Sequence, residues 1–151
     1  MAHQRKNIRD AVITLLSTLA NGNVIAGRTY PVDQMTLPAI GVHTAEEEWL
    51  PTESEMVTMV GGVVNNDRAI QLTIDCMDEG WTYLDKLDAL ALGVEQALGV
   101  DLSLGGECGA ILYEGTSVER SEQLELPTGR LTLTYRVEYR TDARDPQTNI
   151  G

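Results

Sequence analysis

Few residues in this chain could do chemistry. Asp75, Asp78 and Glu79 put three carboxylates within five positions, a residue type that binds hard divalent cations through oxygen or works in acid–base pairs. Their spacing matches no calcium loop, and the same residues serve as turn formers and helix-dipole partners ahead of the helical segment that follows. Gly105-Gly106-x-x-Gly109 resembles a phosphate cradle, but it lies between a helical and a strand pattern, with no helix start after it to hold the anion. It reads as a turn. Cys76 and Cys108 stand apart, without the paired spacing of a zinc site or the density of a disulfide scaffold. The only histidines are His3, near the start, and His43, in a strand pattern; no nucleotide-loop, nucleophile-elbow or zinc-protease motif occurs. The expectation is no metal, no cofactor and no catalysis, the alternative being a hydrolase or transferase built on the three carboxylates.

The elements that must position these residues fit one domain. The chain has 151 residues, 42% hydrophobic and 23% charged, which suits a single core. No run approaches the roughly 18 apolar residues of a membrane span, and the opening MAHQRKNIRD lacks a secretory apolar stretch. A soluble intracellular product is expected. The net charge is −12, so holding nucleic acid by neutralising its phosphates is not expected. The acid is concentrated: residues 1–32 sum to +3 and 126–151 to +1, leaving −16 for 33–125. Such a bias suits a solvated face, or a surface that repels or steers something.

Ile8, Ala11, Val12, Leu15, Leu16 and Leu19 recur at helical spacing and predict a helix over 4–20, ended by Asn21-Gly22-Asn23. An extended segment with Gly27, Pro31 and Pro38 leads to a strand over 39–44. Residues 45–66, with Glu46-Glu47-Glu48, Pro51, Gly61-Gly62 and Asn65-Asn66, read as a long loop or a protruding hairpin with Met56–Val60 on one arm. Ile70, Leu72, Ile74 and Cys76 alternate as a half-buried strand over 68–76. A second helix follows over 82–98, with Thr82 and Asp85 as a capping box and Gly93 as an interior liability. A strand near 110–122 and a Pro127-Thr128-Gly129 turn lead to the strongest strand, where Leu131, Leu133, Tyr135, Val137 and Tyr139 alternate with polar residues. The domain is taken as 1–141, with 142–151 a flexible C-terminal tail.

Three segments carry a resemblance: IRDAVITLLSTL at 8–19, GRTYPVDQMTLPAIGVHTAEEE at 27–48 and GRLTLTYRVEYRT at 129–141. Together they resemble the tail terminator, or tail completion, proteins of long-tailed phages, the lambda gpU-like minor tail proteins. The resemblance implies an α+β fold, two helices on a mainly antiparallel sheet, forming a homohexamer ring in the virion. Such a ring caps the tail tube protein, ends its polymerisation and joins it to the head–tail connector protein. DNA would pass through its channel without specific binding. On this reading the acidic balance keeps the lumen from holding phosphates. Glu46, Glu47 and Glu48 are the expected channel-lining residues. Arg130, Arg136 and Arg140, the basic face of the last strand, are expected at the subunit interface. Trp49 is either a partner contact or a cap on the core. The other class left open is a small acidic adaptor or ligand-binding domain.

Overall fold

A computed structural model describes residues 3–26, 37–50, 65–121, 127–142, 146–147 and 149–150. Helix α1, Gln4–Leu15, buries Ile8 and Val12. The His3 side chain caps it, Nδ1 accepting from the Arg5 amide at 3.1 Å. The helix stops earlier than its apolar stripe. Ser17 Oγ donates to the Thr14 carbonyl at 2.7 Å, a side-chain competitor for the helical bond. Ala20, Asn21 and Gly22 then take left-handed φ of 50, 56 and 81°, turning the chain into strand β1, Val24–Ala26.

Four more strands and one helix follow: β2 Ala39–Leu50, β3 Asn65–Glu79, α2 Tyr83–Val100, β4 Ala110–Ser121 and β5 Thr128–Asp142. They form one five-stranded sheet in the order β1-β2-β3-β5-β4, parallel between β1 and β2 and antiparallel elsewhere. The fold is thus α+β, two helices on a mostly antiparallel sheet. Of the two readings of 45–66, the hairpin holds: Trp49 opposes Arg68 and Leu50 opposes Asp67 in the β2–β3 ladder. The acidic run is strand rather than loop. The Met56–Val60 arm lies outside the described residues.

Both helices pack on one sheet face, α1 over β1 and β2, α2 over β3 and β5. Beneath them the alternation of β3 and β5 is fully used, with Leu72, Ile74, Leu133 and Val137 closed to solvent. Two glycines are set by close approach. A Cβ on Gly129 would lie 2.6 Å from the Tyr83 ring and 2.8 Å from Leu87, so only glycine lets the start of α2 sit on β5. A Cβ on Gly93 would come 3.1 Å from Leu19, which accounts for glycine where α2 faces the end of α1. Thr82 is the N-cap residue of α2, but its side chain makes no capping bond, so the expected box with Asp85 does not form.

Beyond β5, Pro146 O accepts from the Gln4 amide at 2.9 Å and Gln147 O from Asn7 at 3.0 Å. The Ile150 amide donates to Arg140 O at 2.9 Å. These contacts tie the described tail residues to α1 and β5. Among the described residues no helix is long and apolar enough to cross a membrane.

Candidate functional site

The three carboxylates do not converge. Asp75 and Asp78 are three residues apart on one strand and so point to opposite sheet faces, while Glu79 is about 13 Å along the strand from Asp75. Asp75, almost fully buried, accepts from Thr132 Oγ1 at 2.7 Å, and Asp78 Oδ1 accepts from the Glu79 amide at 2.8 Å. No group of three or more metal-ligating side chains occurs among the described residues. The glycine turn is occupied by its own chain. Asp101 accepts from the Ser103 amide at 2.9 Å and the Gly105 amide at 2.7 Å, while the Gly106 amide goes to Ser103 O at 3.0 Å. The Ser103 hydroxyl, which also donates to Asp101 at 2.6 Å, and then the Ser103 and Gly105 amides hold the Asp101 carboxyl below its ordinary pKa.

The acidic run behaves as three separate residues. A β-bulge between Ala45 and Glu47 shifts the register by one, so Glu47 rather than Glu46 joins the helix-covered face, opposite Ile70. There Glu47 accepts from the Tyr139 hydroxyl and pairs with Arg5 at 2.5 Å and Arg68 at 3.7 Å. Burial first, then the bond to Glu47, raises the Tyr139 pKa. Burial, with Arg5 and Arg68 nearby, lowers that of His3, whose Nε2 lies 3.1 Å from Arg68 Nη1. Glu47 is therefore an anchor joining α1, β2, β3 and β5 within one subunit. Sequence reasoning missed this cluster because one extra residue in β2 decides which glutamate turns inward. The side chains of Glu46, Glu48 and Trp49 lie outside what the structure describes.

The three arginines do share the sheet face away from the helices, as their alternation requires. Arg140 is held by Asp67, Nη2 to Oδ2 at 3.0 Å, and Arg136 Nε donates to Glu138 at 3.1 Å. Arg130 differs: its Nε is buried and has no hydrogen-bond partner among the described residues. A cleft of about 330 Å³ at this end of the sheet is lined by Asp67, Arg68, Gly109, Ala110, Glu138, Tyr139 and Arg140. Its charged groups are already paired within the chain, which leaves no excess of either sign to select a ligand.

Strand β4 carries the feature that the sequence did not single out. It forms an edge of the described sheet, and residues 112–114 and 116–120 are exposed, among them Leu112, Tyr113 and Val118. The flank of α2 turned away from α1 exposes Leu84. No protein-family model matches this chain, and comparison with the curated proteins gives no match.

Proposed function

We propose that the chain is a structural subunit of a phage tail, a tail terminator that closes into a homohexamer ring on the tube and carries no catalytic chemistry. The observation that carries this reading is the β4 edge: twelve residues of strand bearing half-exposed Leu112, Tyr113 and Val118. An open edge of this length, with three half-exposed apolar side chains among polar and charged ones, is ordinarily paired, covered or guarded by charge. A ring subunit covers it by assembly. The α+β sheet with two helices on one face agrees with what the resemblance implies, and the resembling segments fall on α1, the β2 region and β5. On this reading the ring sits in the virion between the tail tube protein and the head–tail connector protein, and DNA passes through it unbound. The channel wall would draw on the β2 arm that carries Glu46 and Glu48, with Glu47 withdrawn to hold its own subunit together.

Tail tube protein polymerised with and without this chain tests the proposal, with tube length measured by electron microscopy. Tubes of limited length bearing a terminal ring are expected. Unchanged length and bare ends at saturating concentration would overturn it.

A further inference from the structure

The two lateral edges of the sheet are chemically opposite, and the helices show how each is built. On α1, Gln4 and Asn7 reach toward the 101–108 turn and the C-terminal segment, with Gln4 Nε2 donating to Glu107 O at 2.6 Å. At 100° per residue this turns Arg5 and Arg9 to the opposite flank, toward β2 and the β1 edge, with Lys6 adjoining. Arg5 meets Glu47 there, as that placement requires. Arg9 has no ion-pair partner among the described residues, and its Nε is buried without a hydrogen bond.

On α2, Gly93 faces Leu19 of α1, so the flank about 140–180° around the helix carries Leu84, Asp88 and Glu95 and lies on the β4 side. The perturbation of Tyr135 by both Glu95 and Tyr113 agrees with that placement. Beside this flank the helix-side residues of β4, Tyr113 and Val118, stay half-exposed among the described residues. Leu84, Tyr113 and Val118 are each 50–54% exposed, giving a notch that is apolar at its base, with Asp88 and Glu95 along its α2 wall.

We infer that the basic α1 flank of one copy docks in the α2–β4 notch of the next, with Arg9 set against Asp88 and Glu95 and Ile13 against the apolar base. The occupant is a second copy because the chain carries the complementary charge on its own far edge. Oppositely charged patches on opposite edges favour a head-to-tail contact, in which each copy uses one edge as donor and the other as acceptor, rather than a two-fold dimer. Repetition closes into a ring where the rotation per subunit closes, and runs on as a filament where it does not. The inference names the subunit interface of the proposed ring and rests on that reading for closure, but the edge pairing is a property of the chain alone.

Its test therefore uses the full chain without tail tubes, by sedimentation over a concentration series at low salt. Association beyond a dimer is expected, weakening as salt is raised. Arg9→Glu and Glu95→Arg should each raise the dissociation constant on the order of tenfold, and the two together should recover most of that loss. Asp88→Lys, at an exposed position on the acidic side of the contact, gives the same direction should Arg9→Glu disturb folding, which circular dichroism checks. A wild-type chain that stays monomeric, single reversals without effect, or a double variant no better than the singles would overturn the inference. Edge-mediated association without tube capping would instead sink the tail reading and leave the interface standing.

Discussion

Strands β4 and β5 run side by side, yet one is core and the other surface. Val118 lies beside Leu131 and Tyr113 beside Tyr135, on the same sheet face. Leu131 and Tyr135 are 4% and 5% exposed, whereas Val118 and Tyr113 are 50% and 54% exposed. The difference lies overhead. Helix α2 packs on β3 and β5, and among the described residues the apolar side chains of β4 stay half-exposed. Alternation decides which way a side chain points; the layer above decides whether it is buried. Complete burial of such a side chain is worth about 1.5–3 kcal/mol, which β5 realises on folding and β4 does not among the described residues.

The contrast is most strongly probed at Leu133. Leu133→Ala should destabilise the monomer by about 2–5 kcal/mol through cavity formation, read by chemical denaturation. Gly129→Ala should follow, at about 1–3 kcal/mol, because the added methyl meets the Tyr83 ring and Leu87 where α2 touches β5.

Alkali gives a graded version of the same test. Burial pushes the Cys76 thiol and the Tyr135 hydroxyl each up to about 12, from 9.0 and 10.0. The folded chain then retains protons that the unfolded chain releases, so stability is intact below about pH 9 and falls as pH rises toward 12. The slope is on the order of 1 kcal/mol per pH unit for one group. Denaturation midpoints at pH 7, 10 and 11 should fall in that order, and Tyr135→Phe should flatten the decline above pH 10.

The smallest effect belongs to β4. Val118→Ser should change monomer stability by no more than about 0.5 kcal/mol, the range of exposed positions, while weakening association between copies. A monomer loss as large as that of Leu133→Ala would erase the distinction between the two strands.

Local patterns determined much of this protein. The period-two runs at 70–76 and 131–139 and the helical stripes beginning at Ile8 and Leu87 are short-range features, and they fixed two helices, a mostly antiparallel sheet and the inward faces of β3 and β5; Leu84, whose spacing joins it to the second stripe, is exposed instead. The turn at Gly105-Gly106 was legible for the same reason, since φ of +69 and +93° is a local demand. Tertiary structure alone decided four things. The pairing of Trp49 with Arg68 turned an apparent loop into a hairpin, because strand pairing lies in the partner and not in the run itself. The bulge after Ala45 chose Glu47 as the inward-turned anchor, a one-residue shift that no composition reveals. Asp67 and Glu138 claimed Arg140 and Arg136 from within the chain, leaving Arg130 with a buried Nε that has no hydrogen-bond partner among the described residues. Last, the position of α2 over β3 and β5 left the apolar side chains of β4 half-exposed among the described residues and set an acidic, apolar edge opposite a basic one, because the placement of one layer on another is settled by long-range packing that the sequence encodes only collectively.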